Sequence, residues 1–150
     1  MNKIVTLEEN NKIKFFYDIR NHIWLYLKMI FLDDSGEIIC IEDEDDHKNF
    51  IFDTGAQNTI ISKRRASECG YLNLPVKGVV NAGGISGGSL RCIRIEIPDI
   101  TITKNLIVKT PSVLVCDDYS VNINILGQDI LKPYSYYLDV KQQYIYFDLN

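Results

Sequence analysis

Between Arg91 and Ile97 the chain alternates, with Ile93, Ile95 and Ile97 apolar and Arg94 and Glu96 polar. A period of two is what a β-strand shows when one face is buried and the other is wet. Pro98-Asp99 then turns the chain into ITITKNLIV, and TPSVLVCD, INIL and QYIYFDL follow as short runs rich in Val, Ile and Tyr. Asp117-Asp118, Ser135 and Lys141-Gln142 separate them, as turn-forming residues separate strands. IWLYLKMIFL, residues 23–32, carries Lys28 inside an apolar run and reads as one buried strand. So many short strands predict an all-β domain, an antiparallel sandwich or closed barrel.

Helix signals are few. In SKRRASECG, residues 62–70, Ser62 stands where an N-cap belongs and Gly70 where a helix stops, which predicts about two turns. A shorter helical turn is predicted after Gly127 in GQDILKPY, ended by Pro133. The 150 residues suit one domain spanning 1–150, with 1–12 read as a candidate disordered tail.

Composition and charge mainly exclude. The net charge is -4, and Lys63, Arg64 and Arg65 form the one basic cluster, so a nucleic-acid partner is not expected. No apolar run reaches the roughly 20 residues that cross a bilayer, so no membrane partner is expected. The N-terminus lacks the basic start, apolar stretch and cleavage site of a secretory signal, which predicts a cytoplasmic protein. Cys40, Cys69, Cys92 and Cys116 form no C-x-x-C pair and only two histidines are present, so buried free thiols are expected rather than a zinc site. The acidic run EDEDDHK, 42–48, lacks the spacing of an EF-hand and reads as a solvated hairpin loop, and DDSGE, 33–37, as an ordinary turn. Neither a metal nor a cofactor is expected.

Three stretches carry candidate chemistry. In FIFDTGAQNTI, residues 50–60, Phe50, Ile51 and Phe52 deliver Asp53 to an apolar neighbourhood, where a carboxylate's proton affinity is open to tuning. Gly55 leaves room for a second backbone close by. Further on, VVNAGGISGGSLRC sets Gly83, Gly84, Gly87 and Gly88 between two apolar runs, either a plain hairpin loop or a lid over a cleft. No Lys-Ser/Thr follows its last glycine, which excludes a phosphate-binding loop. NINILGQDIL, 122–131, is an apolar strand, a glycine and a polar opening to a helix.

FDTGA, GGISGG and ILGQD, in that order, resemble the retropepsin-like aspartic proteases, the family of the retroviral proteases and their cellular and bacterial relatives. The likeness covers roughly residues 48–150, with 13–41 supplying preceding strands. It implies the retropepsin-like acid protease fold, closed and all-β with one or two short helices, working as a homodimer. Pepsin-like enzymes carry two Asp-Thr-Gly turns in one chain, and this sequence has one. The resemblance therefore implies that Asp53 of a second copy supplies the other carboxylate across a two-fold axis. By the same likeness Asp53, Thr54 and Gly55 are the catalytic turn, with Thr54 bracing the dimer. Ile125, Leu126 and Gly127 pack against it. A peptide or protein substrate lies extended along Ala56, Gln57 and Asn58, under a flap of Gly83, Gly84, Ile85, Ser86 and Gly87, and against Leu126. The sequence departs from retroviral members at Gln57 and Gln128, where an acidic residue and an arginine brace one another, so an amide pair replaces the ionic brace. The tip also holds one residue more, Ser86. The implied function is peptide-bond hydrolysis by two Asp53 carboxylates at a dimer interface. The alternative is a dimerisation or peptide-binding module of the same fold with weak turnover.

Overall fold

In the computed structural model, which describes residues 8–41, 48–83 and 89–149, the apolar run at 23–32 is two strands rather than one. β1 spans Lys12–Tyr17, β2 Ile23–Leu25 and β3 Lys28–Leu32. At Tyr26-Leu27 the chain leaves one sheet for another. The side chain of Asn49 holds it there, accepting from the Leu27 N–H and donating to the Leu27 carbonyl, both at 2.8 Å. A side-chain amide thus satisfies a backbone pair that no strand could reach.

β4 (Ile38–Ile41) pairs with β3, while β9 (Ile100–Thr103) and β10 (Leu106–Val108) complete a four-stranded sheet in the order β10-β9-β3-β4. The remaining strands are β5 (Phe50–Phe52), β6 (Ile60–Ile61), β7 (Val76–Gly83), β8 (Ser89–Glu96), β11 (Ser112–Cys116), β12 (Ile125–Leu126), β13 (Ser135–Asp139) and β14 (Tyr144–Asp148). They run β13-β14-β1-β2-β5-β12-β6-β11-β8-β7. Most pairs are antiparallel, as expected. Two are not: β12 lies parallel to β5, and β11 parallel to β6. Consecutive strands β5 and β6 leave a gap between them, and β12, from far along the chain, fills it.

Alternation sends Ile13 and Phe15, Ile145 and Phe147, Phe50 and Phe52, and Val113 and Val115 from the large sheet into one core, where Met29, Ile100 and Ile102 of the small sheet meet them. Each such side chain contributes on the order of 1.5–3 kcal/mol by leaving water. Ile60, Cys92, Leu114 and Cys116 form a second, smaller cluster. α1 (Lys63–Glu68) starts as the sequence indicates, with Ser62 Oγ accepting from the Arg65 N–H at 3.1 Å. It stops at Gly70, whose φ of 81° and closeness to the Leu32 carbonyl leave no place for a Cβ. α2 (Gln128–Leu131) is a single turn.

Of the stretch 1–12 read as a candidate tail, residues 9–12 are structured. Glu9–Asn11 form a 3-10 turn, the Asn10 carbonyl accepts from the Asn105 N–H at 3.1 Å, and Lys12 already opens β1. Residues 1–7, the acidic stretch 42–47 and the glycine-rich tip 84–88 lie outside the described residues. Three of the four free cysteines are buried, but Cys40 on β4 is exposed.

Candidate active site

β5 ends by handing Asp53 to a turn, and the parallel ladder with β12 fixes where that turn sits. The Ile51 N–H donates to the Asn124 carbonyl at 2.8 Å, and the Asp53 N–H to the Leu126 carbonyl at 3.1 Å. Beyond the ladder the carboxylate shapes its own loop: Asp53 Oδ1 accepts from the Gly55 N–H at 2.9 Å, and the Asp53 carbonyl from the Ala56 N–H at 3.3 Å. This is the Asx turn that makes Asp a turn-starter. The other carboxylate oxygen, Oδ2, accepts no hydrogen bond from a described residue. Asp53 and Ala56 are half-buried, and Thr54 and Gly55 are exposed.

A second loop clamps the first from the far side of the chain. Gly127 packs so closely that a Cβ there would lie 2.6 Å from the Asn58 carbonyl oxygen and 3.0 Å from that of Ala56. Past it, the Gln128 N–H donates to the Ala56 carbonyl at 2.8 Å and the Asp129 N–H to the Gln57 carbonyl at 3.0 Å. Thr59, fully buried, ties the two loops together: its hydroxyl donates to Asp129 Oδ1 at 2.7 Å and accepts from the Gly127 N–H at 3.0 Å. Its own N–H reaches Asp129 Oδ2 at 2.9 Å. Every polar atom of Thr59's side chain is therefore used. Asn124 locks the strands behind, donating to the Asn49 carbonyl and accepting from the Ser62 N–H, both at 2.8 Å.

Neither Thr59 nor Asn124 stands out in the sequence, since a lone Thr or Asn in a turn-rich stretch is ordinary. Asp129 had a signal, its place two residues after Gly127 in ILGQD.

The expected site residues do not all converge. Asp53, Thr54, Gly55 and Ala56 form one turn, Gln57 continues it with an exposed side chain, and Asn58 is half-buried beside Gly127. Leu126, expected to meet substrate, has no exposed surface. Alternation on the two-residue β12 turns it into the core, where it is a floor beneath the Asp53 turn. The Gln57 and Gln128 amides do not pair. Gln128 Nε2 donates instead to the Thr54 carbonyl at 2.8 Å, which stiffens the turn from within one chain. Gly83 pairs with Ser89 at the described end of the β7–β8 hairpin, and Gly84, Ile85, Ser86 and Gly87 lie outside the described residues. No group of three or more His, Cys, Asp or Glu among the described residues is arranged to hold a metal.

The family model described as gag-polyprotein putative aspartyl protease matches residues 41–133. No curated protein matches the chain. Among solved structures it is similar to a retropepsin-like aspartic protease from Rickettsia conorii, with a TM-score of 0.54 and 14% identity over 91% of this chain and 89% of that one. It is also similar to the retroviral protease-like domain of Ddi1 from Leishmania major, with a TM-score of 0.49 and 21% identity over 81% and 90%. The EIAV protease complexed with the inhibitor HBY-793 gives a TM-score of 0.47 and 19% identity over 79% and 92%. At these identities the first likeness speaks for the fold.

Proposed function

The chain belongs to the gag-polyprotein putative aspartyl protease family and has the retropepsin-like fold, and from that premise we propose that it is an aspartic endopeptidase whose site is completed by Asp53 of a second copy. The observation that carries this reading is the state of Asp53. One carboxylate oxygen is fixed by its own turn, and the other accepts nothing from a described residue. The turn is braced from behind by Thr59, Asp129 and Gln128, and Thr54 and Gly55 are left exposed in front. Nothing among the described residues requires glycine at 55, where a Cβ would make only an ordinary 3.4 Å contact with Asp53 Oδ1. The open side of the turn is where a second, symmetry-related turn would fit.

In such a pair one carboxylate is ionised and the other protonated. The ionised one takes a proton from water as the water oxygen bonds to the peptide carbonyl carbon. The protonated one gives its proton to the carbonyl oxygen. Collapse of the tetrahedral intermediate re-forms the carbonyl and breaks the C–N bond, and the amine leaves with a proton from the pair. Two carboxylates suffice, so the step asks for no metal or cofactor. The substrate would lie extended, held by backbone bonds as an added strand.

The test combines Asp53→Asn with dilution. The variant is nearly isosteric, so it should keep the wild-type circular dichroism and oligomeric state while cleavage of a peptide library falls to background. Wild-type specific activity should fall as the protein is diluted through the dimer dissociation constant measured by sedimentation. Cleavage surviving in Asp53→Asn, or undiminished in the monomer, would place the chemistry elsewhere.

A further inference from the structure

Away from Asp53 a cavity of about 600 Å³ opens between β1 and the small sheet, lined by Lys12, Lys14, Lys28 and Lys104 with Phe16 and Tyr26. Among the described residues no acidic one lines it, although the chain as a whole carries a net charge of -4. Four of the chain's 16 basic residues therefore surround one depression. Their charges are unequally spoken for. Lys12 pairs with Glu9 at 2.8 Å, and Lys14 donates to the Gln142 carbonyl at 3.1 Å. Lys28 and Lys104 have no hydrogen-bonding or ionic partner among the described residues. Lys48 adds a fifth cation at the Phe16 end, its ammonium 5.3 Å from the ring centroid.

We propose that this cleft docks an acidic, extended segment of the polypeptide substrate. The substrate part rests on the protease reading above. The lysines come from three separate stretches of chain, with the Lys12 and Lys14 ammonium groups both over the Tyr144 ring, 4.0 and 5.1 Å from its centroid. Lys12, Lys14 and Phe16 are alternate residues of β1, so successive ones stand roughly 6.6 Å apart, the spacing of alternate side chains in an extended peptide. Lys28 lies on β3, and Lys104 directly follows β9. No arginine fork lines the cavity, so nothing there matches the planar, two-bond grip favoured by a single phosphate. Distributed point charges suit distributed carboxylates.

Register links the cleft to Asp53. Phe16 is opposite Trp24, and Trp24 is opposite Ile51, two residues before Asp53, which follows the last residue of β5. Two inter-strand steps of about 4.8 Å separate Phe16 from Ile51, and one two-residue step of roughly 6.6 Å separates Ile51 from Asp53. The direct line across these two perpendicular components is roughly 12 Å, which an extended chain of about four residues covers at roughly 3.4 Å per residue. A substrate with acidic residues a few positions from its scissile bond would occupy both places at once.

Two measurements test this, and the first does not depend on cleavage. Binding of a fluorescent peptide of five alternating Glu and Asp residues is followed by anisotropy on Asp53→Asn protein at low salt. Lys28→Glu with Lys104→Glu should weaken it by about tenfold or more, and Lys28→Gln with Lys104→Gln should weaken it less, in a protein less prone to misfold. Arg64→Glu with Lys109→Glu carries the same charge change elsewhere and should leave affinity within about twofold. An equal loss in that control, no binding by the Asp53→Asn protein, or binding of inorganic phosphate or ATP in preference to the peptide would overturn the assignment. The second measurement compares cleavage of one peptide with and without an acidic flank. The flank should lower KM in wild type and not in the lysine variants, leaving kcat unchanged. If no peptide is cleaved but the acidic probe binds as described, the protease reading fails and the cleft stands.

Discussion

Replacing Thr59 by Val removes one hydroxyl and keeps the shape of the side chain, so its effect can be worked from two hydrogen bonds. The hydroxyl's 2.7 Å bond to Asp129 Oδ1 goes to a carboxylate, and such bonds contribute about 1.5–3 kcal/mol. The same substitution strands the Gly127 N–H, which loses its 3.0 Å acceptor at a site with no exposed surface on Thr59, a cost of about 1–3 kcal/mol. Packing is unchanged, because Val fills the Thr volume. The expected destabilisation is therefore roughly 4 kcal/mol, or about 10 °C in Tm for a domain of this size. Thr59→Ser keeps the hydroxyl and loses only a methyl, at about 1 kcal/mol. Urea unfolding of the three proteins, fitted with a common slope, separates these values. If Thr59→Val lies within 1 kcal/mol of wild type, or matches Thr59→Ser, the hydroxyl does not join the two loops as described.

Gly127→Ala should destabilise by about 1–3 kcal/mol and, under the proposed function, cut peptidase activity more than stability alone explains, since its Cβ meets only backbone, at 2.6 Å from the Asn58 carbonyl, and must move the Asp53 turn. Thermal melts beside kinetics at a temperature where both proteins are folded would check this. Gln128→Ala removes the 2.8 Å bond to the Thr54 carbonyl and should weaken the proposed dimer in sedimentation, whereas an unchanged dissociation constant would show that Thr54 needs no such support. Native protein should react with one equivalent of a thiol reagent, at exposed Cys40, and unfolded protein with four. Burial, with Cys92 close by, pushes the Cys116 thiol up to about 12, so mildly alkaline pH should not raise the native count. The Trp24 indole N–H, then the His22 and Arg20 backbone N–H groups, hold the Asp18 carboxyl well below its ordinary value. Its contribution to stability is thus full above the unfolded carboxylate value near 4 and is lost as pH falls toward the lowered folded one. Asp18→Asn should narrow the stability gap to wild type across that acid range, and fluorescence of Trp24, the chain's one tryptophan, would report the same transition.

Local signals in the sequence were reliable where the cause is local. The alternation at 91–97, the Ser62 cap, the Gly70 stop and the Asp53 turn each follow from residues within a few positions of one another, and the structure has them. What escaped depends on distant partners. Nothing in IWLYLKMIFL marks Tyr26-Leu27 as a crossing between sheets, because the group that holds it there is Asn49. The insertion of β12 between β5 and β6, with its parallel pairing, is invisible to periodicity, which does not encode strand order. Leu126, which the family resemblance set both against the catalytic turn and against substrate, has no exposed surface in this chain, and only its neighbours in space reveal it as core.

The placement of β12 also sets a schedule for synthesis. Thr59 and Asp129 are 70 positions apart, and until the later one has left the ribosome the Asp53 turn has no Gly127 behind it and no ladder beside β5. A nascent chain ending between Gly55 and Gly127 would carry the Asp-Thr-Gly residues without the ladder and the Gly127 contact that hold their turn. Under the proposed function, partial translation products would therefore carry no working site. The same ordering makes the turn sensitive to damage far from it, since a nick or frameshift near residue 125 would unmake a site whose own residues are untouched.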